Sequence, residues 1–338
     1  MFFENVNIMG MSYIDAPHQI ASADLEARLQ DNLQRFGMRP NLIESLTGIQ
    51  YRRFWDADAE PNQYAAEVAQ QALDKAGLSK DKVGVLISSS VYKDFIEPSI
   101  AAIVHGRLEL LPTCLNFDVS NACLGFLNSM EIAGNMIERG QIDYALLTSC
   151  ESARAINELT LERLSQPDCS EAEFRARFAT LTLGSAAVAM VLAHKDLAPE
   201  GHPFLGGVSM AATQHSRLCL GHNHDMQTDA RGLLAAGVEL AMKTYAYACE
   251  EMAWDQKDFQ QYIMHQVGAA HLNALIEAGR IPPDRVPRIY QDYGNTGSTT
   301  VPLALMKAAE QDLLVRGQRV ALMGIGSGIN CSMMEMIW

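Results

Sequence analysis

In Phe117-Asp118-Val119-Ser120-Asn121-Ala122-Cys123-Leu124-Gly125-Phe126, an apolar strand runs into a turn and a cysteine follows at the start of a helix. That helix, over Asn121 to Gly140, carries Ala122, Leu124, Phe126, Leu127, Met130, Ile132, Ala133, Met136 and Ile137, so apolar residues cover nearly every face. A helix of this kind belongs inside a protein rather than on its surface. Cys123 is predicted to sit where helix N-terminal amides and the macrodipole favour an anion. Such a setting lowers a thiol pKa and enlarges the thiolate population able to attack a carbonyl. The same amides can hold an oxyanion. Packing the start of a core helix is the alternative use of this cysteine.

Outward from this segment, short apolar runs alternate with amphipathic ones. Strands are expected over Val6 to Tyr13, Val83 to Ser89, Leu115 to Val119, Tyr144 to Ser149, Ala186 to Ala193, Phe204 to Ala211, Tyr262 to Val267, Val286 to Tyr290 and Val320 to Ile325. Helices are expected over Ser22 to Phe36, Gln63 to Ala76, Ser99 to Leu108, Asp229 to Met252, Ala269 to Ala278 and Thr300 to Val315. The alternation indicates an α/β protein. Leu115 to Ser149 resembles Tyr262 to Tyr290 in its strand, helix, strand order, which suggests two pseudo-duplicated halves, about 1–180 and 181–338, in one compact unit. A polar interruption over about 152–178 reads as an inserted pair of short helices.

With 338 residues, 48% of them hydrophobic, the chain can bury roughly 75% of its unfolded surface, so neither disulfides nor a metal is needed for stability. The formal net charge is -14, and no basic block exceeds Arg52-Arg53, which argues against nucleic acid and anionic membrane as partners. The longest apolar run, about Ala186 to Ala193, falls short of the roughly 20 residues of a membrane span. Met1-Phe2-Phe3-Glu4 has no basic leader region, so a soluble cytoplasmic protein is expected. The seven cysteines are scattered and never spaced as CxxC, against both a disulfide framework and structural zinc. His222-Asn223-His224 lacks carboxylate or thiolate partners at ligand spacing, and no metal site is expected.

Three other segments could carry chemistry. In Tyr262-Ile263-Met264-His265-Gln266-Val267 a histidine ends an apolar strand, where α/β proteins place functional groups, although a core histidine fits too. Tyr293-Gly294-Asn295-Thr296-Gly297-Ser298 is a turn-rich loop before a helix, and turn geometry alone could account for Asn295. Leu322-Met323-Gly324-Ile325-Gly326-Ser327-Gly328 lets backbone approach a ligand closely. It lacks the lysine of a phosphate loop and the strand-to-helix context of a dinucleotide fingerprint, which excludes nucleotide hydrolysis and NAD binding.

Together these segments resemble the thiolase superfamily, specifically its ketoacyl-ACP synthase III-like branch. Cys123, His265-Gln266 and Gly294-Asn295-Thr296 match that branch in order, and Thr47-Gly48-Ile49 with Arg52-Arg53 matches its TGI…RR segment. Separations of 142 residues from Cys123 to His265 and 30 from His265 to Asn295 are similar to those of its olefin-biosynthesis (OleA-type) members. Those enzymes join two fatty acyl-CoA molecules head to head. Departures from the ordinary synthase agree: Leu42 and Leu46 replace a Trp and an Arg that contact CoA, and the terminal glycine loop reads Gly326-Ser327-Gly328.

The resemblance implies a layered α/β/α/β/α sandwich, a homodimer, acyl-CoA thioesters as substrates with no permanently bound cofactor, and downstream olefin-pathway enzymes as further partners. It implies Cys123 as nucleophile, His265 and Asn295 as donors to the second thioester, and the Ser327 backbone as part of an oxyanion hole. Glu97, a solvated carboxylate beside a helix start when read alone, matches the glutamate that OleA-type enzymes lend to the partner's active site. Arg52 and Arg53 are the expected contacts for CoA phosphates. A decarboxylative ketoacyl-ACP synthase III is the alternative reading, and a Cys/His/Asn hydrolase a more distant one. The acidic surface disfavours docking of an acidic carrier protein, which adds weight to free acyl-CoA.

Overall fold

Apolar runs buried on both faces make the central strands, and the longer amphipathic stretches make the helices that cover them. The protein is described by a computed structural model over residues 2–338; Met1, the first residue of the Met1-Phe2-Phe3-Glu4 start, lies outside the described residues. Its strands are β1 (Val6–Asp15), β2 (His18–Ala21), β3 (Tyr51–Phe54), β4 (Val85–Ser88), β5 (Leu115–Asp118), β6 (Tyr144–Glu151), β7 (Ala186–His194), β8 (His202–Ala211), β9 (Cys219–Gly221), β10 (Met226–Thr228), β11 (Phe259–Met264), β12 (Arg319–Gly326) and β13 (Asn330–Ile337). Its α-helices are α1 (Ser22–Ala27), α2 (Gln30–Arg35), α3 (Leu42–Thr47), α4 (Pro61–Ala76), α5 (Ile100–Leu108), α6 (Gly125–Glu138), α7 (Arg154–Leu164), α8 (Glu171–Arg177), α9 (Ala230–Glu251), α10 (Ala269–Gly279), α11 (Tyr290–Tyr293) and α12 (Thr300–Glu310).

Nine strands form a mixed sheet in the order β11-β12-β13-β8-β1-β7-β6-β4-β5. Outward from the β1/β8 junction the two sides repeat: β1-β7-β6-β4 on one, β8-β13-β12-β11 on the other, each with two antiparallel pairings and then a parallel one. Among the described residues, the first side alone has a further strand, β5. Helices α6 and α12 lie between the two sides. Phe126, Leu127 and Met130 of α6 and Val301 and Leu305 of α12 share one core with Ile87, Leu147 and Val188 on one side and Ile263, Leu322 and Met334 on the other. The opposite faces are covered by α4 and α5 on the first side and by α9 and α10 on the second. Helix, sheet, helix, sheet, helix is the resulting layer order, the α/β sandwich of the thiolase fold. Among the described residues no helix is long and apolar enough to cross a membrane.

Several expected elements differ. Val286 to Tyr290 makes no strand, because its backbone is held by a side chain: Gln266 Oε1 accepts from Ile289 N (2.9 Å) and Tyr290 N (3.2 Å), and its Nε2 donates to Pro287 O (2.7 Å). The internal repeat is therefore shifted by one unit. The counterpart of α6 in the second half is α12, not the helix after Tyr262. The expected helix Ser22 to Phe36 breaks at Arg28-Leu29 into α1 and α2. Strand β13 was not visible in its methionine-rich run, whose Glu335 is buried and neutralised by Arg319 at 2.7 Å. Helices α7 and α8 fall in the polar interruption and pack Leu161, Leu164 and Phe174 against Leu25, Leu29 and Ile43 of the N-terminal helices.

Candidate active site

Cys123, Glu97, His265 and Ser327 lie in the segments that leave the carboxyl ends of β5, β4, β11 and β12, whereas Asn295 follows α11 and Arg52 and Arg53 lie on β3. At the end of β5, Asp118 accepts from Ile100 N (3.1 Å) and Ala101 N (2.9 Å) at the start of α5, and pairs with Lys93 Nζ at 2.8 Å. The chain then turns sharply. Ala122 adopts φ 46°, a left-handed conformation costing a non-glycine residue about 1–2 kcal/mol. Leu124 N and Gly125 N close the turn on Asn121 O (3.0 Å) and Ala122 O (3.1 Å). Cys123 thus sits on a tight turn two residues ahead of α6, partly exposed.

Its thiol is not the acidic one expected. Close packing around the sulfur pushes its pKa up to about 12, and the charges of Glu151 and Cys219 push the same way; only its own backbone N–H opposes them. Burial is the largest of these influences and holds the thiol above its usual range.

The glycine loop that follows β12 is stapled to this turn. A Cβ at Gly326 would stand 2.9 Å from Asn121 O and 3.3 Å from Leu124 Cβ, so only glycine lets the two backbones approach. Asn330 Nδ2 donates to Asn121 Oδ1 (3.2 Å), and Asn121 Nδ2 donates to Asn128 Oδ1 (2.8 Å). Ser327, next to Gly326, is thereby brought beside the cysteine turn with its backbone N–H uncommitted among the described residues.

His265 follows β11, and its N–H donates to Met323 O of β12 (2.8 Å). His265 is 2% exposed, and its ring Nδ1 is buried without a partner among the described residues. Burial, with a smaller push from His271 on α10, drives its pKa down to about 3, so the imidazole is neutral. It borders an apolar cavity lined by Met242, Met264, Leu275, Met323 and Met333. The Asn295 loop is anchored by backbone: Asn295 N donates to Thr182 O (2.8 Å) and Gly184 N donates to Asn295 O (2.9 Å). Gly297 N donates to Asn295 Oδ1 (3.0 Å), which orients the carboxamide and leaves Nδ2 as a free donor among the described residues. Glu97 stands apart, exposed on the segment before α5, beside Phe95 (55% exposed) and Ile96 (99% exposed).

The expectation for the arginine pair is corrected at Arg52. Arg52 is fully buried; its guanidinium donates to Ser22 Oγ (2.9 Å) and Ile20 O (3.4 Å), and burial lowers its pKa to about 10 despite the opposing charge of Glu26. It supports the Asn295 loop from beneath, since a Cβ at Gly294 would meet its Cβ at 3.3 Å. Arg53 is half-buried, donates to Ala16 O (3.2 Å) and lies over the Tyr293 ring. Arg52 is therefore not presented to a phosphate, whereas Arg53 keeps part of its surface exposed. Two further residues belong here, Gln266 of the motif already noted and Glu151, which the sequence reading passed over. Gln266 braces the segment after His265, and Glu151 ends β6 with its carboxylate hydrogen-bonded to Ser298 Oγ (2.8 Å). Their strand-end positions were the available signal.

Family models agree with this geometry. That of 3-oxoacyl-[acyl-carrier-protein (ACP)] synthase III matches residues 117–211, and that of the C-terminal part of the same synthase matches residues 249–338. The chain belongs to the 3-oxoacyl-ACP synthase III family of the thiolase superfamily. It is 43% identical over 338 residues to an acyl-CoA:acyl-CoA alkyltransferase of Xanthomonas campestris pv. campestris, covering 100% of both chains. Identity to the Shewanella oneidensis acyl-CoA:acyl-CoA alkyltransferase is 34% over 350 residues, again covering 100% of both. Xanthomonas campestris OleA with a cysteine changed to serine, solved with bound lauric acid and lauroyl-CoA, matches with a TM-score of 0.98 at 43% identity, over 99% of this chain and 100% of that one. The same enzyme has been solved with that cysteine as alanine, with a glutamate changed to glutamine, aspartate or alanine, and with a histidine changed to asparagine or alanine.

Proposed function

We propose that this protein is an acyl-CoA:acyl-CoA alkyltransferase that condenses two fatty acyl-CoA thioesters without decarboxylation. One observation carries the site assignment. The cysteine, glutamate and histidine altered in the Xanthomonas campestris enzyme stand at one constant offset from Cys123, Glu97 and His265, in a chain that aligns with this one end to end.

Cys123 attacks the first thioester; a C–S bond forms to its sulfur, the bond to CoA breaks, and the thiol proton ends on the departing CoA sulfur. The backbone N–H groups of Cys123 and Ser327 hold the oxyanion formed on the way. Neutral His265 and the Nδ2 of Asn295 donate to the carbonyl oxygen of the second thioester, which acidifies its α-carbon. Glu97 of the partner subunit removes that proton. The carbanion attacks the acyl-cysteine, the new C–C bond replaces the C–S bond, and Cys123 recovers its proton. Hydrolysis of the resulting thioester gives a 2-alkyl-3-oxo fatty acid, the kind of product that feeds long-chain olefin synthesis. The methionines beside His265, Met242, Met264, Met323 and Met333, are adaptable apolar side chains that can give way to an alkyl chain.

The exposed Phe95 and Ile96 and the unpaired edge of β5, where Leu115 is 54% exposed, suit a homodimer. With β7 (Ala186–His194) counted in the first side, the halves divide after that strand rather than at 180, Cys123 in the first and His265 and Asn295 in the second, and they share the central core. Supplying acyl-CoA together with malonyl-ACP labelled in its free carboxyl tests the reaction class. Condensation should proceed without labelled carbon dioxide; turnover that requires the malonyl donor and releases label would make the protein a decarboxylative synthase.

A further inference from the structure

Glu151 stands between the two loops on which the proposed reaction depends. It is 6% exposed, and every partner of its carboxylate is a donor: Val91 N (2.9 Å), Tyr92 N (3.1 Å), Ser298 N (3.3 Å) and Ser298 Oγ (2.8 Å). Ser298 Oγ, its proton committed to Glu151, accepts in turn from Ser149 Oγ (2.7 Å). Burial pushes the Glu151 carboxyl above its usual range, and the four converging donors, which need an acceptor, work against that push. A Cβ at Gly297 would stand 3.1 Å from this group, so the loop closes on it only because glycine is there.

On one side, Ser298 follows Asn295 by three residues. On the other, Val91 and Tyr92 open the segment that ends at Glu97. The middle of that segment is also pinned, by Lys93 to Asp118 (2.8 Å), by Asn223 Nδ2 to Lys93 O (2.8 Å) and by Asn62 Nδ2 to Asp94 (2.8 Å). Phe95, Ile96 and Glu97 form the exposed tip beyond these ties. Among the ties, Glu151 is the one that reaches the Asn295 loop.

We propose that Glu151 is a positioning residue that locks the base of the Glu97 segment to the Asn295 loop of the same protomer, so that one active site sets where Glu97 stands in the other. This rests on the reading of Glu97 as a base supplied across a dimer. Glutamine in its place would turn an amide N–H₂ toward backbone N–H groups, donor against donor, and release one side of the link.

Mixed dimers of two differently tagged chains test this. In the first, one chain carries Cys123→Ala with Glu151→Gln and the other is otherwise wild type; the surviving Cys123 then depends on Glu97 from the altered chain. In the second, Glu151→Gln sits in the chain that keeps Cys123, opposite a Cys123→Ala chain. Acyl-enzyme formation should persist in the first dimer while condensation falls by about tenfold to a hundredfold, as a misplaced catalytic group implies. The loss should be smaller in the second. Equal losses, a larger loss in the second, or none would overturn the link. Glu97→Ala substituted for Glu151→Gln in the first dimer is the control: condensation intact there would sink the base assignment itself. If Glu151→Gln chains do not assemble, Ser298→Ala removes a single bond and should give a weaker loss with the same trans preference; a loss in cis, or none, would again overturn the proposal.

Discussion

The turn that carries Cys123 is tied on every side, through Asn121 to Asn128 and Asn330, against the Gly326 backbone and onto the start of α6. The tip that carries Glu97 is exposed, and its ties end three residues earlier at Asp94. Acyl capture needs a nucleophile and an oxyanion hole held to within tenths of an ångström, and one chain supplies both. On the proposed reading Glu97, exposed at that tip, is the base for condensation and serves another molecule. That reading divides the two half-reactions between a preorganised interior and a surface completed by assembly.

Substitutions at the two places should separate those half-reactions. Cys123→Ala should abolish acyl-enzyme and product together, a loss of at least about 10⁴-fold in turnover, read by intact-protein mass and product analysis. Product formation by that variant would remove Cys123 as nucleophile. Glu97→Ala should still acylate at Cys123 while condensation drops by roughly 10²–10⁴-fold, and an undiminished rate of C–C bond formation would exclude Glu97 as base. Gln266→Ala sharpens the contrast within the interior. It strands the backbone groups of Pro287, Ile289 and Tyr290, so urea denaturation should show a stability loss of roughly 2–5 kcal/mol.

Two smaller effects follow from burial. Alkylation of Cys123 by iodoacetamide should still be accelerating at pH 10, because the thiolate fraction grows with pH until a pKa pushed up to about 12. A plateau near pH 8 would indicate an acidic thiol. His265, held near 3, stays neutral as pH falls through 6.5, so condensation should show no acid limb at the ordinary histidine pKa unless another group supplies it. Protonation of the His265 ring near pH 6.5, followed by NMR, would contradict its desolvated setting.

The sequence carried the α/β layering, the buried helix after Cys123 and the strand-end position of His265, because each follows from apolar periodicity or from where strands stop. Elements set by tertiary partners were less legible. Val286 to Tyr290 has the composition of a strand, yet its hydrogen bonds go to Gln266, a contact that no local pattern encodes. Arg52 reads as a surface cation until Ser22 and Ile20 close over it. The thiol's surroundings are hidden for a related reason: proximity to a helix start is visible in the sequence, whereas packing density around a sulfur, which pushes the pKa up, is not. Glu151 looked like any charged strand end until the loops at residues 91–92 and 298 folded onto it.

Head-to-head condensation is tested most directly by giving the purified protein myristoyl-CoA alone and identifying every product by mass spectrometry. The expected product is the 2-alkyl-3-oxo acid built from two myristoyl chains, or the ketone left when that acid loses carbon dioxide. Myristic acid as sole product, or no product until malonyl-ACP is added, would contradict it.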